Sequence, residues 1–190
     1  MQSFRIEGGH KLSGTIIPQG AKNEALQILC AVLLTSKPVT IHRVPDIRDA
    51  NRLIELLRGM GVQVENLGNE SFRFTASDVN IDYLETAEFR QKSSAIRGSI
   101  MILGPLLARF KRGEIPRPGG DKIGRRRLDT HFLGFEKLGA KFTYDKDNGY
   151  YHIDASDLHG TYMLLDEASV TGTANIVMAA VMAKGTTTIY

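Results

Sequence analysis

The 190-residue sequence predicts an α/β protein of repeated units, with apolar helices inside and sheets outside. Three observations predict it. The chain repeats itself at a spacing of about 75 residues. Each copy alternates strand-like and helix-like patterns. One helix pattern per copy is apolar on nearly every face, the mark of a helix buried on all sides. At 42% hydrophobic and 24% charged residues the chain has a globular composition, long enough for one ordinary core or two small ones.

The repeat is read from three alignments. Ile28-Leu29-Cys30-Ala31-Val32-Leu33-Leu34 matches Ile102-Leu103-Gly104-Pro105-Leu106-Leu107 at an offset of 74, which places Val39-Thr40-Ile41 on Gly113-Glu114-Ile115. Leu56 to Val62 resembles Phe135 to Ala140 when Gly61 is set on Gly139, and Phe72 to Val79 matches Tyr151 to Leu158 at an offset of 79. A third copy begins: Leu12-Ser13-Gly14-Thr15 reappears as Leu158-His159-Gly160-Thr161, and Thr40-Ile41 as Thr188-Ile189. The expectation is two complete copies and a truncated third.

Each full copy reads as strand, helix, strand, helix, strand, strand. The first helix, around 23–35, is the apolar one. The second, around 49–60, sets Leu53, Ile54, Leu56 and Leu57 against Arg52, Glu55 and Arg58, so one face is wet. Gly59 and Gly61 close it. Val62 to Glu65 and Phe72 to Phe74 alternate as a hairpin turning at Gly68-Asn69. Residues 174–182 repeat the apolar helix. The pattern is not that of a doubly wound dinucleotide-binding fold.

Charge is localised. Eight of the 24 basic residues fall within 109–127 (Arg109, Lys111, Arg112, Arg117, Lys122, Arg125, Arg126, Arg127), and outside that segment acidic residues outnumber basic ones. The segment is rich in Gly and Pro and holds one aromatic residue, Phe110. It therefore reads as a loop suited to a small, highly charged anion rather than to nucleic acid. One cysteine, Cys30, excludes a disulfide framework and a thiolate zinc site, and its apolar helix makes it a packing thiol. No apolar run approaches the ~20 residues of a membrane span. Phe4-Arg5-Ile6-Glu7 does not read as a signal peptide, so a soluble, cytoplasmic protein is expected. The five histidines are scattered and read as surface or satisfied core residues.

The equivalent helices should present their N-terminal ends on one side. The first begins at Gly20-Ala21-Lys22-Asn23, the second carries Ser93, Ser94 and Arg97, and the third opens with Ser169-Val170-Thr171-Gly172-Thr173. Helix N-termini suit anions. Lys22 and Arg97 oppose the dipole there, which is understandable if an anionic ligand sits between them. Gly119 to Gly124 lacks the Lys-Ser/Thr of a P-loop.

Gly20-Ala21-Lys22-Asn23 with Ala25-Leu26, Arg97-Gly98-Ser99-Ile100 with Leu103-Gly104-Pro105-Leu106, and Pro118-Gly119-Gly120 with Ile123-Gly124 and Leu128-Asp129-x-His131 resemble the UDP-N-acetylglucosamine 1-carboxyvinyltransferases. These are the enolpyruvyl transferases that begin peptidoglycan precursor synthesis. The resemblance covers the whole chain and about the first 45% of such an enzyme. It implies an inside-out α/β barrel of βαβαββ units, with residues 1–20 belonging to the other domain and 21–190 to a truncated transferase domain. It implies phosphoenolpyruvate and UDP-N-acetylglucosamine as substrates, no metal or organic cofactor, and no nucleic acid or membrane partner. A fragment of this length is expected to be inactive alone.

Matched residue by residue, the resemblance assigns Lys22 and Asn23 to phosphoenolpyruvate and Arg97 to the sugar nucleotide. Arg126 falls near both substrates, and Arg127, Leu128, Asp129 and Thr130 line the uridine. Glu167, Ala168, Ser169 and Val170 form a second nucleotide-holding stretch. The chain departs from the family pattern with Arg127 for a common Pro, Glu167 for a frequent Lys, and Asp121 where a cysteine usually stands. That cysteine is the proposed proton donor and the target of fosfomycin, so Asp121 takes the catalytic position. A shikimate-phosphate transferase, which usually shows Ser-Lys-Ser where this chain has Ala21-Lys22-Asn23, and a non-catalytic nucleotide-binding domain are the alternatives.

Overall fold

A computed structural model of the chain describes residues 3–117 and 127–190. From residue 3 to Ala21 the backbone forms no helix or strand, and Phe4, Ile6, Leu12, Ile16 and Ile17 stand almost fully exposed. The first copy then consists of α1 (Lys22–Ala31), extended by a 3-10 turn to Leu34, β1 (Val39–Ile41), α2 (Arg48–Gly59), β2 (Gln63–Gly68) and β3 (Ser71–Thr75). A 3-10 turn at Ile81–Glu85 and α3 (Ala87–Ser94) lead to the second inner helix. That helix starts as a 3-10 segment (Arg97–Ile102) and continues as α4 (Leu103–Phe110). After it come β4 (Arg112–Pro116), α5 (Asp129–Lys137), β5 (Lys141–Asp145) and β6 (Tyr150–Asp154). The third copy supplies β7 (Tyr162–Met163), α6 (Val170–Ala180) and β8 (Thr188–Ile189).

The repeat holds to the level of single residue pairs. Strands β1-β3-β2 form one antiparallel sheet and β4-β6-β5 another. Val39 faces Phe74 in the first, and Gly113 faces Ile153 in the second. Thr40 faces Arg73, and Glu114 faces His152. Shifting the first pairings by the offsets read from the sequence reproduces the second. Because one face of each sheet is buried, a slip by one residue would turn every apolar side chain to water.

Helices α2 and α5 end alike. The Val62 N–H donates to Leu57 O (3.0 Å) and the Gly61 N–H to Arg58 O (2.9 Å), while Ala140 and Gly139 repeat this on Phe135 O and Glu136 O (2.9 Å each). Both glycines have left-handed backbones, φ 91° and 101°. This is the paired-bond ending that satisfies the last helical carbonyls. A side chain on Gly61 would also strike the carbonyl of Asp78 at 2.6 Å.

The core lies where α1, the Arg97–Phe110 segment and α6 meet. Leu29, Cys30, Leu33, Leu103, Leu106, Leu107, Ile176 and Ala179 are fully buried there. On α2, Leu53, Ile54, Leu56 and Leu57 are buried while Glu55 and Arg58 pair in solvent, as its pattern requires. Cys30 is a packing thiol, with burial pushing its pKa far up.

Three expectations need correction. The leading strand of each copy is seen only as β7, which pairs in parallel with β8. In the second copy its place is taken by α3, because the Thr86 hydroxyl caps that helix at the Phe89 N–H (3.1 Å) and Phe89 is buried beneath it. The hairpin turns at Asn69-Glu70, both with positive φ, one residue later than expected. The inner helices are not buried on all sides: Ile28 is 40% exposed, and on α6 Val177 and Val181 are 50% and 65% exposed, since no described element covers those flanks. Among the described residues the strands form three separate sheets, and no sheet closes into a barrel.

Gly61→Ala combines a left-handed backbone with a clash against backbone. It should lower stability by about 1–3 kcal/mol, read by chemical denaturation.

Candidate functional site

The candidate residues stand at the starts of three helical segments. Lys22 and Asn23 are the first residues of α1, whose preceding residue, Ala21, offers no side-chain cap, so the first N–H groups of that helix have no side-chain acceptor there. Arg97 heads the second inner helix, where Gly98 lets it lie against Leu26 of α1. Ser169 precedes α6 and caps it, its hydroxyl accepting from the Gly172 N–H at 3.1 Å.

Lys22 is held rather than loose. Its Nζ lies 2.5 Å from Asp49 Oδ2, in the first turn of α2, where a carboxylate also suits the helix dipole. Asp49 was not singled out by the sequence, because only the tertiary approach of α1 and α2 brings it to Lys22.

Around Arg97 the structure collects most of the expected nucleotide residues. Arg97 Nη2 donates to the Arg127 carbonyl (3.2 Å). Arg127 Nε donates to Asp129 Oδ2 (2.6 Å), and its Nη2 lies 3.2 Å from Asp166 Oδ2. These carboxylates, Asp129 first, hold the Arg127 guanidinium above its ordinary pKa. Thr130, buried at the start of α5, shares its hydroxyl between Asp166 Oδ1 (2.9 Å) and Glu167 Oε1 (3.2 Å). Leu128 precedes α5, and Ala168 and Val170 are exposed beside Ser169. The two stretches 127–130 and 167–170, which the sequence treats separately, are thus one cluster. Asp166 is the joint that the sequence reading missed.

The electrostatics are informative. Within this cluster two guanidinium groups, Arg97 and Arg127, stand among three carboxylates, Asp129, Asp166 and Glu167. An anion therefore gains no net attraction from these groups alone. The further cations of the basic segment, Lys122, Arg125 and Arg126, fall outside the described residues, as does Asp121.

One residue beyond Thr130, His131 is 4% exposed, a satisfied core histidine. Its Nδ1 lies 3.0 Å from Asn175 Nδ2 on α6. Burial, and then the charge of Arg97, lower its pKa to about 4. Asn175 was also missed, although it is the one polar side chain in the apolar run 174–182.

The fold is of the enolpyruvyl transferase type. A sequence model of the EPSP synthase (3-phosphoshikimate 1-carboxyvinyltransferase) family matches residues 6–190, and the chain belongs to that family. Within it, the chain is 62% identical over all 190 residues to the UDP-N-acetylglucosamine 1-carboxyvinyltransferase of Bacteroides thetaiotaomicron, and 57% identical to that of Porphyromonas gingivalis. It covers 44% of each, so it spans less than half the length of these curated relatives. Among solved structures, the enolpyruvyl transferase NikO from Streptomyces tendae aligns over 96% of the chain and 42% of its own, with a TM-score of 0.76 at 22% identity. EPSP synthase from Acinetobacter baumannii aligns over 93% of the chain and 40% of its own, with a TM-score of 0.68 at 18% identity. These two likenesses establish the fold.

A neutral buried His131 makes stability depend on pH. The unfolded ring takes a proton near pH 6.5 and the folded one only near 4. Its contribution is complete above pH 6.5 and is lost as pH falls toward 4, by about 3 kcal/mol. Urea denaturation of the parent chain and His131→Gln should diverge by about that amount between pH 7 and pH 4.

Proposed function

We propose that this chain forms the nucleotide-binding half of a UDP-N-acetylglucosamine 1-carboxyvinyltransferase, an enzyme that begins peptidoglycan precursor synthesis in the cytoplasm. The observation that carries the proposal is the 62% identity along the entire chain to relatives of that name. Supporting it, Arg97, Arg127 to Thr130 and Glu167 to Val170 come together at the starts of three helical segments. The shikimate-phosphate alternative is disfavoured by Ala21-Lys22-Asn23. No described helix is long and apolar enough to cross a membrane.

In this reading the 3′-hydroxyl of UDP-N-acetylglucosamine adds to C2 of phosphoenolpyruvate while a proton reaches the C3 methylene. Loss of phosphate together with a proton from C3 then restores the double bond. The chemistry needs an acid for C3, a base for the hydroxyl, and cations for the phosphate and carboxylate. Lys22 and Asn23 hold phosphoenolpyruvate, with Lys22 exchanging Asp49 for the incoming anion. Arg97 and Arg126 serve the sugar nucleotide, with Arg126 near both substrates. This chain matches 44% of its relatives' length, and in the whole enzyme the second helix-lined wall, the base and further arginines come from the remainder. There, the rest of the third unit covers α6 and completes the inside-out barrel. Residues 1–20 pair with that second domain, which accounts for the exposure of Phe4, Ile6, Leu12, Ile16 and Ile17.

Asp121 is the proton donor in this proposal. An ordinary Asp, with a pKa of about 3.9, is a poor acid at pH 7, and neighbouring Lys122, Arg125 and Arg126 worsen it. Desolvation in the closed ternary complex and the charge of phosphoenolpyruvate raise it. The complete enzyme should therefore resist fosfomycin alkylation and lose most activity in Asp121→Asn; an adduct in the loop, or a normal rate in the variant, removes Asp121 from the mechanism.

Calorimetry tests the substrate assignment. The 190-residue chain should bind UDP-N-acetylglucosamine weakly, and shikimate 3-phosphate not at all. Binding of shikimate 3-phosphate alone overturns the proposal. The chain by itself should release no phosphate above a Lys22→Ala control.

A further inference from the structure

We infer that Asn175 is a positioning residue of the candidate site, locking His131 in the tautomer that carries its ring proton on Nε2. What the lock serves rests on the nucleotide-binding reading above. The lock itself rests on hydrogen-bond geometry alone.

Asn175 is fully buried, and two backbone groups of opposite character fix its amide. The Gly104 N–H can only donate, so the atom facing it at 2.8 Å is Oδ1. The Ile100 carbonyl can only accept, so the atom facing it at 2.9 Å is Nδ2. Exchanging the two amide atoms would set donor against donor and acceptor against acceptor. The second hydrogen of Nδ2 is then left for His131 Nδ1 at 3.0 Å. An amide nitrogen has no lone pair to offer, so Nδ1 must be the acceptor and be unprotonated. The single ring proton resides on Nε2. The low pKa of His131 agrees, since an imidazolium would point an N–H at the amide NH₂.

The same amide ties together the segments that carry the candidate residues. Ile100 belongs to the 3-10 segment headed by Arg97, His131 follows Asp129 and Thr130 on α5, and Asn175 follows Ser169 and Val170 on α6. Gly104 lies in the first turn of α4, where the Asn175 oxygen takes its N–H. A Cβ at Gly104 would lie 2.3 Å from the Asn175 carbonyl, so the crossing that permits this bond requires glycine there. Asn175 therefore ties the three segments to one another and fixes which imidazole nitrogen of His131 carries the proton. An apolar residue of the same volume would fill the space, orphan the Gly104 N–H and leave the ring free to choose its tautomer.

Long-range ¹H–¹⁵N correlation spectra of the whole chain at pH 7 read the tautomer directly. His131 is expected with an unprotonated Nδ1 and a protonated Nε2. Asn175→Asp keeps the shape and the acceptor for Gly104 but replaces the donor facing Nδ1 with an acceptor. It should move the ring proton to Nδ1 or produce the imidazolium, and weaken binding of UDP-N-acetylglucosamine about tenfold. A parent ring protonated on Nδ1 overturns the inference, and does so even if the variant fails to fold. An unchanged tautomer or unchanged affinity in a folded Asn175→Asp chain also overturns it. A locked tautomer in a parent chain that binds no sugar nucleotide leaves the lock standing and defeats the nucleotide reading.

Discussion

The architecture depends on how closely three helical segments can converge, and the tightest point of that convergence is the crossing of α4 and α6. Backbone approaches backbone there because Gly104 carries no side chain, and a buried amide fills the gap with matched polar groups. Buried polar groups are tolerable only when every donor and acceptor is used, and Asn175 uses its oxygen and both amide hydrogens. Around this point pack Leu103, Leu106, Ile176 and Ala179, fully buried. The starts of the segments, where the candidate residues sit, inherit their relative positions from it.

The repeat explains why so much of the fold was legible. Offsets of 74 and 79 residues, taken from side-chain patterns alone, reproduce the pairing register of the second sheet from the first, and Gly61 and Gly139 end equivalent helices with equivalent bonds. Periodicity and glycine placement are local signals, and a second copy doubles their weight. The errors were of another kind. A leading strand was expected where Thr86 and Phe89 make α3, because local capping outweighed the pattern borrowed from copies one and three. All-round apolarity was taken as all-round burial, yet it reports only that a helix requires cover.

Less of the site was legible, for a physical reason. The residues Lys22, Arg97, Arg127 and Thr130 could be singled out because each stands at a helix start or in a recognisable motif. Their partners could not. Asp49, Asp166 and Asn175 act through contacts between elements distant in sequence, and only folding brings them near. The partners change the chemistry that the cations suggest. Arg127 stands where the family commonly has Pro, and Asp129 and Asp166 already neutralise it. It is a brace between two chain segments more than a surplus charge. Glu167 likewise turns its carboxylate to the Thr130 hydroxyl.

That arrangement constrains how the site can hold a diphosphate. An anion entering among three carboxylates needs charge from elsewhere. The sequence concentrates that charge in the segment ending at Arg127, immediately before the cluster. In the proposed enzyme the basic loop is then a component of the binding site rather than a cover over it. Its cations balance Asp129, Asp166 and Glu167 only when they lie against the nucleotide, so substrate binding and loop placement stabilise each other. The same coupling suits Asp121. As the proposed donor, Asp121 would become an acid only where desolvation and substrate charge act on it together. In that proposal, a carboxylate in place of the family's cysteine would tie proton donation to the closed, loaded state more tightly than a thiol of ordinary pKa about 8.5, because an isolated Asp holds almost no proton at neutral pH.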